Sequence, residues 1–450
     1  MTTQPPLNGF RTFLIVWVTQ SVSMIGSALT YFAMTIWLTQ SLYPRADQQP
    51  ALAFALSAVG LAFALPTVFA ALIAGSWADR YDRKTIMIIA DTLNGILSLS
   101  LVGMIVSGQL SLWPLVMLLA LVATCGAFHG SAFDTSYAML VTPAQLPRAN
   151  GMMQTIWALS GIISPALAAT IIALPALARQ GILPPLFAGL GALTDGVALT
   201  IGVDAATFFI AAFVMLFLPI PSPTHDATRA TGQPKGSVWE DIRLGTSYIW
   251  QRKPLLWLLC TFAVTNLASS SMGVFLPLIV KFNLAADWMA RHYSFEGALA
   301  LINAAFGVGG VLGGVIISVW GGLKQRRVFG VLVPLLIGAL AQLLFGLSSF
   351  IFLSAAMLFV ISAAVPFANA HSQAIWQTQT PPELQGRVFS VRRVIAQCTW
   401  PLGTILAGWL GGAFNPGMVL AIAGGLLAIF CTLQLFNPIM LRVESGERRT

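Results

Sequence analysis

Three aspartates interrupt long apolar stretches of the sequence: Asp91, Asp134 and Asp204. Of the fifteen Asp and Glu residues, only these fall within or at the ends of such stretches. A carboxylate is costly to bury in an apolar segment, so it is usually retained for a function such as carrying a proton. We therefore take Asp91 and Asp204 as candidate proton-coupling residues. Asp134 lies near the end of its segment.

Each of these polar residues also has a structural alternative. Asp91 could make a satisfied hydrogen bond, and Asp204 could cap a helix. His129 and His371 fall toward the ends of the fourth and tenth apolar stretches. A histidine there could relay protons near neutral pH, or it could serve as a satisfied polar group at a helix end.

The composition shows what kind of protein holds these residues. Of 450 residues, 57% are apolar and 8% are charged, whereas a soluble domain carries about 25% charged residues. A membrane helix needs roughly 20 apolar residues, so the chain can supply a dozen. We predict spans at 13–38, 51–75, 85–107, 112–134, 151–175, 197–219, 254–280, 298–320, 328–347, 350–372, 393–414 and 417–438.

One irregular apolar stretch and the cysteines need an interpretation beside the spans. The stretch 182–193 is apolar but is broken by proline and glycine, so we read it as an extracytoplasmic loop. The four cysteines, Cys125, Cys260, Cys398 and Cys431, lie in apolar stretches without close pairing. We expect them to be small core residues that form neither disulfides nor a metal site.

The basic residues predict the orientation of the chain. With twelve spans, 19 of the 23 Lys and Arg residues fall on the side of the two termini. Such a bias marks the cytoplasmic side, so we predict a multi-pass protein of the plasma (inner) membrane with both termini cytoplasmic. The net charge of +8 then reflects topology, and nucleic-acid binding is disfavoured.

A long polar segment divides the chain into two halves. We predict an N-terminal bundle at 1–219, a cytoplasmic central loop at 220–253 and a C-terminal bundle at 254–450. Within the loop, 238–250 has the pattern of an amphipathic surface helix, with a plain polar linker as the alternative. The sequence TPAQL at 142–146 returns as TPPEL at 380–384, which indicates two related halves.

The loop between the second and third spans reads GSWADRYDRK over 75–84. It resembles the loop pattern Gly-x-x-x-Asp-Arg-x-Gly-Arg-Lys of the major facilitator superfamily, from which only Asp82 departs. The resemblance covers the whole chain and implies an all-α integral membrane fold with twelve transmembrane helices in two pseudo-symmetric six-helix bundles. A finer resemblance, to the macrolide-efflux-like branch of drug:proton antiporters, rests on this loop and on Trp17, Gln20, Ser23, Gly26, Ser27, Met87, Asp91 and the run GRVFS at 386–390.

The resemblance also implies a conformational latch. It would comprise Gly75, Asp79, Arg80, Arg83, Lys84 and Asp134. Carried over from the superfamily, Asp79 would dock near 391–394 and Arg83 would pair with Asp134. The alternative is a positively charged turn that only sets topology. The corresponding loop of the second half, 321–327, has no acidic residue, so we expect it to hold less firmly.

The resemblance points to two further groups of residues. In the fifth span, the positions of an antiporter pattern hold Gly151, Ser160, Ser164, Pro165 and Ala168; a generic kinked helix is the alternative. The helices that line the cavity in this fold carry Gln20, Trp157, Asn266, Phe367, Gln397 and Trp400. These side chains suit bulky amphipathic ligands, although simple helix packing would also explain them.

The function implied is that of a secondary active transporter that exports amphipathic small molecules of the drug or macrolide type by alternating access, with proton antiport. Alternatives of the same fold are a siderophore or lipid exporter and a solute uptake permease. A non-transporting receptor or scaffold is the alternative of another class. The expected partners are a small-molecule substrate, protons and membrane lipid, and the chain is expected to act as a monomer. The sequence lacks phosphate-loop and zinc-protease motifs, so we expect no enzyme activity, catalytic residue, cofactor or metal.

Overall fold

The chain is helical throughout the part that the computed structural model describes, which is residues 8–142, 144–220 and 238–444. Within those ranges there is no β-strand. This outcome follows from the composition, because a chain inside a bilayer must satisfy its backbone hydrogen bonds internally and a helix does so within a single segment.

Sixteen α-helices follow one another along the described chain. Before the central loop they are α1 (Gly9–Ile36), α2 (Gln49–Arg80), α3 (Arg83–Val106), α4 (Leu112–Leu140), α5 (Leu146–Arg179) and α6 (Val197–Leu216). After it they are α7 (Val238–Gln251), α8 (Lys253–Ser270), α9 (Met272–Leu278), α10 (Ala285–Ala290), α11 (Phe295–Trp320), α12 (Arg327–Leu347), α13 (Ile351–Gln379), α14 (Pro382–Ala413), α15 (Pro416–Leu435) and α16 (Pro438–Leu441).

The membrane helices of the described chain are consistent with the prediction. Eleven helices of the described chain are long and apolar enough to cross a membrane. The seventh span, Lys253–Asn283, combines α8 and α9 with a π-helical turn. The remaining predicted span is α14, which carries Arg387, Arg392 and Arg393 in its first half. The all-α membrane fold is confirmed, and a count of twelve spans is consistent with it.

The helices pack into two compact units. The first consists of Met1–Pro44 and Ala58–Gly232, and the second of Arg45–Ser57 and Gln233–Thr450. In the first unit α1 packs against α4, α5 and α6, and α3 packs against α4 and α6. In the second unit α13 packs against α11 and α12, α15 packs against α12, and α14 packs against α7 and α8.

The beginning of α2 belongs to the second unit, which the sequence did not predict. The side-chain amide of Gln49 donates to the carbonyl oxygens of Gly411 at 2.8 Å and Phe414 at 3.0 Å. Further along the same helix, the hydroxyl of Ser57 donates to the carbonyl of Thr404 at 2.8 Å. Side-chain bonds to backbone carbonyls thus fix this segment against α14.

Two sequence assignments outside the spans can be compared with the structure. The stretch 182–193 contains a short 3₁₀ helix, Pro185–Ala192, and Arg179 donates to the carbonyl of Leu193 at 2.6 Å. The predicted surface helix is α7, whose Ile249 is buried in the second unit. The side chains of 238–242 and the residues 221–237 lie outside the described part.

The cysteine prediction is correct for only part of the set. All four thiols are free, and Cys431 is fully buried in the core of the second unit. Cys260 and Cys398 are exposed on helix surfaces, so describing them as core residues was wrong. The apolar stretches of a membrane protein include exposed helix faces as well as core ones, and a thiol is suited to either.

Glycines allow the close crossing of α11 and α13. A Cβ atom added at Gly309 would collide with the carbonyl oxygen of Phe359, and one added at Gly313 would collide with that of Ala363. The neighbouring Gly314 has no described atom within 4 Å of its Cβ position. Small residues at this spacing bring helix backbones together, which is a main source of packing energy in a membrane.

We expect Gly313→Leu to destabilise the protein and Gly314→Leu to leave its stability nearly unchanged. The first side chain must push α13 away, at a cost of about 1–3 kcal/mol, whereas the second points into open space. Thermal unfolding of the purified protein in detergent, followed by tryptophan fluorescence, measures both. Equal melting temperatures for the two variants would contradict the crossing described above.

Candidate functional site

The loop between α2 and α3 is anchored by the one residue that departs from the superfamily pattern. Asp82 is the N-cap of α3, and its carboxylate accepts from the backbone N–H groups of Lys84 and Thr85, both at 3.3 Å, and from the Thr85 hydroxyl at 2.6 Å. An aspartate at this position satisfies donors that the first turn of a helix leaves unpaired. An aspartate shortly before the third predicted span is a common N-cap pattern, so the sequence alone could have predicted this role for Asp82.

The two basic residues that follow bind helix ends of the first unit. The Arg83 side chain is buried and donates to the carbonyl of Ala78 at 2.9 Å and to that of Thr135 at 3.5 Å. The ammonium of Lys84 donates to the carbonyls of Leu216 at 2.8 Å and Leu218 at 3.0 Å. Cations are favourable at helix C-termini, where carbonyl groups are left unpaired.

The other residues of the predicted latch are placed as follows. Arg80 is exposed, and Gly75 has no described atom within 4 Å of its Cβ position. The side chain of Asp79 lies outside the described part. Among the described ion pairs there is none between Arg83 and Asp134, and the Arg83 guanidinium donates to the carbonyl of the next residue, Thr135. Asp134 lies on the wall of a cavity described below.

The corresponding loop of the second half is held by different groups. The backbone N–H of Leu323 donates to Nε2 of His371 at 2.8 Å, while Nδ1 of His371 lies 2.7 Å from the carbonyl oxygen of Phe367. Glu444, near the C-terminal end of the described chain, accepts from the Arg327 N–H at 2.6 Å. The acidic residue that this loop lacks is therefore supplied from a distant part of the sequence.

The first unit contains a cavity of about 570 Å³ bounded by α1 to α6. Its wall combines apolar and aromatic side chains with several polar ones. The lining side chains include Trp17, Gln20, Ser21, Met24, Phe63, Asp91, Asn94, His129, Phe133, Asp134 and Phe208. We call this cavity the unit 1 chamber. Its volume is typical of sites for drug-sized ligands.

Asp91 is the buried carboxylate of this chamber. It is 1% exposed. Its Oδ2 accepts from the side-chain amide of Gln20 at 3.1 Å, and its Oδ1 lies 3.4 Å from Nε2 of His129. The His129 contact lacks hydrogen-bond geometry, so it becomes an ion pair only when the imidazole is protonated. Asp91 thus has one firm donor and one conditional partner.

Several buried polar atoms of the chamber have no hydrogen-bond partner. They are Ser21 Oγ, Asn94 Oδ1 and His129 Nε2. Asn94 is 3% exposed and lies one helical turn from Asp91 on the same face of α3. Unpaired buried polar atoms are uncommon in proteins and indicate a place where water or a ligand binds.

Asp204 has a different environment. It is 2% exposed in the middle of α6, where its Oδ2 accepts from the hydroxyls of Thr30 at 2.6 Å and Ser98 at 3.3 Å. It does not cap the helix, so that alternative was wrong. Gly196 is the N-cap residue of α6, and the carboxylate of Asp195 accepts from the Val197 N–H at 2.9 Å. Asp204 instead joins α1, α3 and α6.

The predicted cavity residues separate into three groups. Gln20 lines the unit 1 chamber. In the second unit, Asn266 and Phe367 are half-buried and Trp400 is 59% exposed. The side chains of Trp157 and Gln397 lie outside the described part. Sequence reasoning did not place Asn94 in the site, although an asparagine one turn after Asp91 in an apolar span was a visible signal.

The small residues of α5 face α1. Ser160, Ser164, Pro165 and Ala168 are buried, whereas Gly151 is exposed. The Ser164 hydroxyl donates to the carbonyl of Ile25 at 3.2 Å. This close approach positions α1, which carries Gln20, beside the chamber.

We expect Asp82→Ala to loosen the first turn of α3, while Asp82→Asn largely retains it. Alanine removes the acceptor of two backbone N–H groups at a cost of about 1 kcal/mol, and asparagine keeps an acceptor oxygen. Hydrogen exchange of the amides of residues 84–86 gives the comparison. Unchanged exchange in the alanine variant would contradict the capping role.

Comparison with known proteins identifies relatives along nearly the whole chain. The profile of the Major Facilitator Superfamily matches residues 16–400. Macrolide efflux protein A of Streptococcus pyogenes is 24% identical over 433 residues, which cover 94% of this chain and 95% of that protein. Multidrug efflux pump Tap of Mycobacterium bovis is 26% identical over 392 residues, which cover 84% and 81%.

Solved structures show the same fold at low identity. The POT family transporter PepTSo aligns with a TM-score of 0.65 at 10% identity and covers 96% of this chain and 99% of that one. A bacterial homolog of the human lysosomal transporter Spinster aligns with a TM-score of 0.61 at 14% identity and covers 96% of each chain. The family predicted from the loop at 75–84 is confirmed. The chain belongs to the Major Facilitator Superfamily and is a membrane transporter of small molecules, not an enzyme.

Proposed function

We propose that the chain exports amphipathic small molecules by alternating access and that it exchanges them for protons. The observation that carries the proposal is the unit 1 chamber, in which an apolar and aromatic wall surrounds the buried carboxylate of Asp91. The macrolide and multidrug efflux proteins named above, to which the chain is similar, support export of such molecules.

Asp91 is the proton carrier in this proposal. Its carboxylate borders the chamber, and among the described side chains one firm hydrogen-bond donor reaches it, the amide of Gln20. Such a group can be stabilised as an anion by a protonated His129, or it can take up a proton itself. Asp204, by contrast, does not line the chamber and is bonded to hydroxyl groups from two other helices. We therefore assign it a structural role.

The loop between α2 and α3 acts as the latch of the transport cycle. Arg83 and Lys84 hold the ends of α2, α4 and α6, while Asp82 fixes the beginning of α3. A change of conformation that moves these ends must rearrange all of these bonds together. In this proposal the loop lies on the cytoplasmic side, as do both termini, which follows from the bias of lysine and arginine. The protein resides in the plasma membrane and acts as a monomer.

We expect Asp91→Asn to abolish efflux driven by a pH gradient, while Asp204→Asn retains it. Asparagine is similar in shape but cannot take up a proton. The measurement is the flux of an amphipathic dye in proteoliposomes with and without a pH gradient, at matched protein content. The expected Asp91→Asn protein still equilibrates the dye down its own gradient but no longer responds to pH.

Two results would count against this assignment. One is coupling that survives in Asp91→Asn and is lost in Asp204→Asn. The other is a wild-type protein that moves none of a panel of dyes and drugs under any gradient, which would favour a receptor or scaffold function. Dye that moves in the same direction as the protons, rather than against them, would indicate an uptake permease.

We expect Arg83→Lys to slow transport almost as much as Arg83→Ala does, at normal expression. Lysine keeps the positive charge, but its single ammonium lacks the several N–H donors with which the planar guanidinium bonds to the carbonyls of Ala78 and Thr135. Initial rates in proteoliposomes measure the effect. If the lysine variant were fully active, the charge alone would matter and the loop would only set topology.

A further inference from the structure

We propose that the unit 1 chamber selects lipophilic amines that carry an N–H donor when protonated, and that Asn94 determines this selectivity. Primary, secondary and tertiary ammonium ions would bind, and permanently quaternary ammonium ions would bind poorly. The inference rests on the proposed export function, but it concerns which molecules bind and can be tested by binding alone.

The charge of the chamber favours a cation. Two carboxylates, Asp91 and Asp134, line it, and the described lining residues include neither lysine nor arginine. His129 is the one basic group among them. A cavity with apolar walls and an excess of negative charge concentrates cations, because the low dielectric strengthens the attraction.

The rest of the wall suits the apolar body of such a cation. Trp17, Phe63, Phe133 and Phe208 contribute aromatic rings, and Met24 adds a flexible thioether. Aromatic faces attract ammonium groups as well as hydrocarbon. A volume of about 570 Å³ accommodates a molecule of drug size or the amine-bearing part of a larger one.

The unpaired acceptor distinguishes among cations. Asn94 Oδ1 is buried, has no hydrogen-bond partner and lies in the chamber wall. A protonated amine can donate an N–H to this oxygen, which relieves the cost of leaving a buried acceptor unpaired. A quaternary ammonium has no N–H, so it would cover the oxygen without satisfying it. Charge and aromatic rings alone would not make this distinction.

A matched pair of probes tests the proposal. One is N,N-dimethylnaphthylethylamine as its ammonium ion, and the other is its N-methylated quaternary analogue. Binding to the purified full-length protein is measured by calorimetry at neutral pH. We expect the tertiary ammonium to bind about tenfold more tightly than the quaternary one, which is the effect of one unsatisfied buried acceptor.

Two variants locate the effect. Asn94→Leu, which keeps the approximate shape but removes the acceptor, should bring the two affinities close to equality. Asn303→Leu is the control, because Asn303 lies on α11 of the second unit and bonds to the carbonyl of Leu299 in its own helix. This control should keep the wild-type ratio. Its melting temperature and that of Asn94→Leu show whether each protein is folded.

The outcomes separate this inference from the proposed function. Equal affinities in the wild type, or an unchanged ratio in a folded Asn94→Leu protein, would overturn the assignment of Asn94. If neither amine bound while uncharged naphthylethanol was exported under a pH gradient, the selectivity would be refuted and the export function would stand. If the amine pair behaved as expected but no probe was exported, the export function would fail instead.

Discussion

A carboxylate inside a bilayer has no bulk water to solvate it, so its partners must come from the protein itself. The first unit meets this requirement in two ways. Asp204 receives hydroxyl donors from Thr30 and Ser98 and ties three helices together. Asp91 receives one amide donor from Gln20, with His129 3.4 Å away, and stands at the edge of a cavity. Asp204, whose Oδ2 joins three helices, supports the fold, and Asp91, which borders the cavity, is our proposed proton carrier.

The close packing around Asp204 helps to position α1, the helix that carries the hydrogen-bond donor of Asp91. Gly26 lies where a Cβ would come within 2.8 Å of Asp204 Oδ1, so the absence of a side chain lets α1 approach α6 closely. On the other side, the small residues of α5 bring Ser164 to the backbone of α1 at Ile25. Held from both sides, α1 presents Gln20 to Asp91. Small residues thus have the same function here that they have at the α11–α13 crossing, where they allow helix contact that lipid alone would not drive.

The sequence was sufficient for the fold class and the family, and its twelve predicted spans are consistent with the structure. Composition and charge distribution predict them because a membrane imposes one length and one kind of backbone hydrogen bonding on every span. The partners of individual polar groups were harder to predict. The loop motif suggested that Arg83 pairs with Asp134, yet its donors reach backbone carbonyls, which every residue possesses and no pattern reveals. Glu444 was missed for the second loop because it is far away in sequence. Exposed cysteines were misassigned because apolar sequence cannot distinguish the exposed side of a membrane helix from its core.

The central claim is that Asp91, and not Asp204, releases its proton when a ligand binds in the unit 1 chamber. Proton release on ligand binding tests it most directly. An amphipathic amine is added to the purified protein in weakly buffered detergent solution, and the change in pH is recorded under conditions where Asp91 is protonated at the start. Because binding and proton release are thermodynamically linked, we predict release of about one proton per bound molecule from the wild type and from Asp204→Asn, and none from Asp91→Asn. Binding without proton release from the wild type, or undiminished release from Asp91→Asn, would contradict the account.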